Sequence, residues 1–286
     1  MSVLVTGGCG FVGSNLVDIL VQQGNSVVVV DNLITGNKEN CNPKAFYIFE
    51  DYREVLKSGL KNYDFDVIFH LAAMPRIQPS FENPLYTFDN NASGTAVLCE
   101  FARKNDAKIV YAGSSSFYGG VYLNPYSFSK WVGEELCKMY SKVYGVSSCI
   151  VRFFNVYGPR HLSEGPYSTV IGIFERQFGD GASLTVTGDG EQRRDFTHVT
   201  DICLGMISVS DKKYDGKIFN LGTGINYSIN ELASMFRGAK IEYVPKRPGE
   251  AKETLADISE INSETGWAPR CDLESYVEKR LAVRRE

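Results

Sequence analysis

Residues 2–20 read SVLVTGGCGFVGSNLVDIL. The run SVLVT is short, apolar and rich in β-branched residues, which marks a buried strand, and a helical stretch follows at about 11–23. Between them Gly7, Gly10 and Gly13 stand in the spacing GxxGxxG. Glycines at those points let the backbone turn tightly and come close to a pyrophosphate, whose charge meets the free amides of a helix start. A strand, a glycine-rich turn and a helix in immediate succession therefore point to a dinucleotide site at the head of a parallel sheet.

The rest of the chain extends that pattern. Further strands are expected at 26–31 (SVVVVD), 46–49 (FYIF), 66–72 (DVIFHLA), 108–113 (KIVYAG) and 147–152 (SSCIVR), with helical stretches at about 84–104 and 126–144. Uniformly apolar strands separated by helices argue for a parallel sheet covered on both faces, and right-handed crossovers make it doubly wound. After Gly158 the order changes to a loop-rich stretch over 159–195, with a short helix near 168–178 and a strand at 217–221. The fold expected is α/β: a dinucleotide-binding domain over 1–158 plus about 195–224, and a small C-terminal substrate lobe from 159–194 and 225–286.

Asp31 ends the second strand and Asn32 follows it. A carboxylate there accepts hydrogen bonds from ribose hydroxyls and repels a 2′-phosphate, and no arginine stands beside it, so the cofactor expected is NAD rather than NADP. The alternative is that Asp31 only caps a loop. Bulk composition narrows the partners. The 286 residues carry a net charge of −4, with 43% hydrophobic and 22% charged residues, which gives no electrostatic case for nucleic acid or an anionic membrane. The basic ending KRLAVRRE reads as a solvated helix end. Seven scattered cysteines without CxxC spacing read as reduced thiols of a cytoplasmic protein, and three separated histidines give no metal site. The strand pattern starts directly after Met1, leaving no room for a signal peptide, and no apolar run has membrane-spanning length.

Taken in order, TGGCGFVG, DNLITG, HLAA, NASGT, SSSFYG, YSFSK, RFFNVYGPR, GDGEQRRDF, NLGTG and RPGE resemble, nearly end to end, the extended short-chain dehydrogenase/reductases. Within them the chain is most similar to the NAD-dependent nucleotide-sugar 4-epimerases acting on UDP-glucose or UDP-N-acetylglucosamine. The resemblance implies a cofactor site built from Gly7, Gly10, Phe11, Val12 and Gly13, then Asp31, Asn32 and Gly36. It extends through Asp51 and Tyr52, the wall Leu71, Ala72 and Ala73, and Asn91, Tyr126, Lys130 and Phe154.

It also implies a catalytic trio of Ser114, Tyr126 and Lys130. Residues four apart on a helix share a face, so Lys130 is expected, together with the pyridinium ring, to favour the phenolate of Tyr126. Ser115 and Ser116 stand where nucleotide-sugar dehydratases carry an Asp-Glu pair and where UDP-glucuronate decarboxylases carry a glutamate at the second position. What remains is hydride removal and return. The linker GVYLNP between Tyr118-Gly119 and YSFSK is shorter than in most relatives, which bears on lid closure. For the substrate, the resemblance places Arg194, Arg247 and Asn155 on a diphosphate, Glu250 on the nucleotide ribose, and Val170 and Val186 with the LTV segment at 184–186 around a uracil; Arg193 reads as a surface residue. Thr254 stands seven positions after Arg247, where it either faces the sugar's 2-substituent or packs in a strand. A homodimer through the helices at 84–104 and 126–144 is implied as well. Two other readings stay open: another sugar-nucleotide reductase or a GDP- or dTDP-sugar epimerase, and a silent NAD-binding sensor.

Overall fold

The computed structural model describes residues 1–58, 60 and 63–283; Arg284 to Glu286, within the basic ending, lie outside the described residues. Six strands alternate with helices in the first half: β1 (Ser2–Thr6), β2 (Ser26–Val30), β3 (Phe46–Ile48), β4 (Val67–His70), β5 (Lys108–Ser114) and β6 (Ser148–Phe153). With the edge strand Ile218–Leu221 they form one seven-stranded sheet in the order Ile218–Leu221, β6, β5, β4, β1, β2, β3. Every pairing is parallel. The strand order reverses between β1 and β4, and a doubly wound sheet opens its ligand crevice at such a point.

Side chains alternate across β1 and set the two layers. Val3 and Val5 join the core on one face with Leu16, Val17 and Leu20 of helix α1 (Phe11–Gln22). Leu4 joins the other face with Ile68, Ile109 and Leu98. A third apolar cluster, including Phe174, Leu184, Val186, Phe236 and Val277, lies away from the sheet. Ile261 and Trp267 return to the first face.

Two short helices were not anticipated, α2 (Tyr52–Ser58) and α3 (Ile77–Glu82). The stretch expected as one helix over 84–104 is α4 (Pro84–Phe88), a π-helical turn at Asp89–Ser93, and α5 (Gly94–Asn105). The turn has its cause in a contact from a distant part of the chain. The Tyr52 hydroxyl donates to the Asn90 carbonyl at 2.6 Å, drawing it from the helical ladder. A Cβ at Gly94 would lie 1.9 Å from that same hydroxyl. After the short helix α6 (Ser116–Gly119), helix α7 (Pro125–Tyr144) begins at a full cap. The Asn124 side chain accepts from Ser127 N, Pro125 supplies a preset φ, and Gly145 closes the other end in the left-handed conformation. The helix expected near 168–178 is Val170–Gly179, capped by Thr169. No helix among the described residues is long and apolar enough to cross a membrane.

Candidate active site

A cavity of about 700 Å³ opens beyond the carboxyl ends of the strands. At one end it is lined by the glycine loop and the start of α1, at the other by Ser114, Tyr126, Arg194 and Arg247. The loop geometry explains its glycines. Gly7 has φ +75°, and a Cβ on it would lie 2.8 Å from Ala72 N; a Cβ on Gly13 would lie 2.1 Å from Gly7 O. Any other residue at Gly7 would push the turn off the wall formed by Leu71 and Ala72, and any other at Gly13 would push α1 off the turn. Gly10 caps α1 without a side chain, so the first-turn amides near Phe11, Val12 and Gly13 stay available to the cavity.

Asp31 is buried at the end of β2, its carboxylate accepting from Cys9 N at 2.9 Å and Leu33 N at 2.8 Å. Those bonds hold the carboxylate in place and leave lone pairs for a ribose. Asn32, Tyr52, Leu71, Ala72, Ala73 and Phe154 line the same cavity. A glycine cradle that a Cβ would fill, a helix start without a cap and a fixed carboxylate fit a dinucleotide.

Four residues expected at the site do not reach its wall. Gly36 lies behind Asp31, where a Cβ would meet the carboxylate at 2.8 Å, so its role is to let the loop pass. Asp51 turns to Arg53, with contacts of 2.9 and 2.6 Å, and that guanidinium holds its carboxyl below the usual range. Asn91 is buried; its amide exchanges hydrogen bonds with Met74 N and O and donates to Ser129 Oγ, tying the wall after β4 to α7. Val186 faces the third apolar cluster, while its strand neighbours Thr185 and Thr187 face the cavity, as alternation along a strand requires.

The reacting end is built on the close of β5 and the first turns of α7. Tyr126 Oη donates to Ser114 Oγ at 3.4 Å, and Ser114 Oγ accepts from Ser116 N. Lys130 lies one turn on, buried, its ammonium 4.3 Å from the centre of the Tyr111 ring. Burial lowers the Lys130 pKa to about 8, opposed by the Glu134 carboxylate. Glu134 is in turn locked to Arg152 by a buried pair at 2.7 Å. Burial raises the Tyr126 pKa, and the groups drawing it back are the Ser114 hydroxyl and the Arg76 guanidinium.

Asn155, Val170, Arg194, Arg247, Glu250 and Thr254 all line the cavity. Arg194 stands 3.7 Å from Glu250, and Asn155 Nδ2 donates to Thr254 Oγ1 at 3.2 Å. Arg193 turns away to Asn226 and Glu231. The neighbouring Asp195, not singled out from the sequence, accepts from Thr223 N, Gly224 N and Ala256 N and so fixes the floor beside Thr254. Arg76 was missed as well. It carries no motif, and its place on the cavity wall depends on a backbone φ of +87° that no local signal announces.

A doubly wound parallel sheet with this glycine cradle and a Ser-Tyr-Lys end defines an extended short-chain dehydrogenase/reductase. The match to the model of the NAD dependent epimerase/dehydratase family spans residues 3–222, and the chain belongs to that NAD-dependent family. It is 38% identical to the putative UDP-glucose 4-epimerase of Methanocaldococcus jannaschii, covering 97% of this chain and 96% of that one. It is 30% identical to UDP-glucuronic acid decarboxylase 1 of Xenopus tropicalis, covering 98% and 71%. Among solved structures, UDP-glucose 4-epimerase with UDP-glucose from Thermotoga maritima superposes with a TM-score of 0.94 at 28% identity, over 100% of both chains.

Proposed function

We propose that the protein is an NAD-dependent UDP-sugar 4-epimerase, with the sugar a hexose, its 2-acetamido derivative or a uronic acid. The single observation that carries this reading is the reacting end itself: Ser114, Tyr126 and Lys130 meet at the cavity, while Ser115 and Ser116 supply no second acid or base. The decarboxylase and dehydratase relatives need such a group; an epimerase does not.

Gly7, Gly10 and Gly13 would hold the pyrophosphate and Asp31 the adenosine ribose. NAD, when bound there, would supply a hydride acceptor and donor for the sugar's carbon 4, with no net oxidation. Tyr126 Oη takes the proton of the 4-hydroxyl and gives one back, and Ser114 Oγ orients that hydroxyl. Burial raises the phenol pKa, so the proton leaves only with a cation at hand. Lys130, held near the neutral range, is one turn away to share that proton. Arg194 and Arg247 would grip the diphosphate and Glu250 the nucleotide ribose, leaving the sugar free to present either face.

Exposed Met139, Val143 and Tyr144 on α7 supply an apolar strip that supports a homodimer. Seven free thiols support a cytoplasmic home. The test is product analysis on purified protein with UDP-glucose, UDP-N-acetylglucosamine and UDP-glucuronate and no added cofactor. Interconversion at carbon 4 with NAD retained is expected. Net NAD(H) consumption would assign a dehydrogenase or reductase, release of carbon dioxide or water a decarboxylase or dehydratase, and no turnover a sensor.

A further inference from the structure

The cavity holds a third arginine that the diphosphate and ribose contacts leave unassigned. Arg194 and Arg247 are the two arginines matched to a diphosphate, and Arg194 already leans on Glu250 at 3.7 Å. Arg76, between β4 and α3, lines the same cavity. Its φ of +87° is one that residues with a Cβ rarely adopt, so its placement is held by the surrounding structure. Its Nε donates to the Tyr167 carbonyl at 3.1 Å, which fixes the plane of the guanidinium. Among the described residues no carboxylate pairs with it and nothing accepts from its two terminal nitrogens. Helix α3, which begins directly after Arg76, is tied to the first turn of α7 by Tyr126 N donating to Ser80 Oγ at 3.1 Å, which sets Arg76 toward the reacting end. Burial pulls its pKa down, against the opposing charges of Tyr126 and Glu250.

A planar guanidinium held on one edge with its fork free matches a carboxylate. We propose that Arg76 is a specificity-determining residue that pairs with a carboxylate on the sugar ring, so that the substrate class is a nucleotide-linked uronic acid. This rests on the nucleotide-sugar reading above and narrows it. A neutral hexose would leave the guanidinium unpaired in the closed site, and that difference, rather than any clash, supplies the discrimination.

The probes are UDP-glucuronate and UDP-glucose, on wild-type protein, Arg76→Met and Arg76→Lys, with kcat/KM from product analysis and Kd from calorimetry. Wild type should favour the uronate at least about tenfold. Arg76→Met should lose roughly 10- to 100-fold more on the uronate than on the hexose, chiefly in KM and matched in Kd, because a hydrogen-bonded charge contributes on that scale. Arg76→Lys, which keeps the charge without the fork, should recover part of the preference. Equal loss on both sugars would show that Arg76 only latches the Tyr167 loop or acts on the Tyr126 phenol, and would overturn the proposal. So would a wild type that binds both sugars alike, a result that does not depend on whether either variant folds. Should wild type epimerise neither sugar, the proposed reaction fails on its own; the Kd ratio and its response to Arg76→Met then still decide the anion site.

Discussion

Replacing Lys130 by methionine should make the cofactor-free protein more stable at neutral pH. Lys130 is 5% exposed, and burial holds its folded-state pKa at about 8 against 10.5 for a lysine in water. Below about pH 8 the ammonium is charged in both folded and unfolded chains, so the whole burial cost is present. From about pH 8 to 10.5 the folded lysine has lost its proton while the unfolded one keeps it, and stability rises with pH as the cost disappears. A difference of that size corresponds to about 3 kcal/mol. Methionine fills much of the same space but gives up the contact with the Tyr111 ring, a loss of about 1 kcal/mol. The Glu134 carboxylate keeps its Arg152 partner in the variant, so no new unpaired charge is left behind. The net gain expected near pH 7 is about 2 kcal/mol, or a Tm increase of roughly 3 to 4 °C. Thermal melts of cofactor-free wild type and Lys130→Met at pH 7, 8, 9 and 10 test this, because subtracting one from the other cancels the other titrating groups. A variant less stable at pH 7, or a difference that stays constant from pH 7 to 10, would refute the account of Lys130 as a buried, unneutralised cation.

Tyr126→Phe should fold and keep NAD but lose 4-epimerisation by about 10²–10⁴-fold, since it removes the proton-transferring hydroxyl at the Ser114 contact; a variant with more than a tenth of wild-type turnover removes Tyr126 from that role. Asp31→Ser combined with Asn32→Arg should weaken NAD and admit NADP, read as Kd for each, while a wild type already preferring NADP contradicts the reading of β2. Thr254, buried and bonded to Asn155 on the cavity wall, is the small residue proposed to face the sugar's 2-substituent. Thr254→Tyr should therefore reduce turnover of UDP-N-acetylglucosamine by at least about 1–3 kcal/mol more than that of UDP-glucose. Equal effects on the two sugars would show that Thr254 does not shape the 2-position.

Much of the site was legible because its signals are local. Gly7 and Gly13 are dictated by backbone approaches that only glycine permits. Asp31 follows from its place at the end of an apolar strand, whereas Tyr126 and Lys130 are marked by the family resemblance, the helical period adding that they share a face. The uniformly apolar run Val3, Leu4 and Val5 likewise made a sheet covered on both faces readable from sequence, and the structure divides these residues between the two faces.

What the sequence left open depends on which way a side chain turns once distant segments pack. Val186 and its threonine neighbours form an ordinary strand; only the third cluster decides that the valine faces the core and the threonines the cavity. Asp51 turns from the site because Arg53 lies closer, and Asn91 because Met74 and Ser129 complete its hydrogen bonds. The π-helical turn exists because Tyr52, far away in sequence, reaches Asn90. Arg76 belongs to the same class: a positive φ and the carbonyl of Tyr167 carry it onto the cavity wall, and both arise only when the loop after β4 meets the loop before Thr169. Periodicity and glycine spacing determine where the chain turns, whereas the facing of each polar side chain is set by long-range packing and by the partners it brings within hydrogen-bond reach.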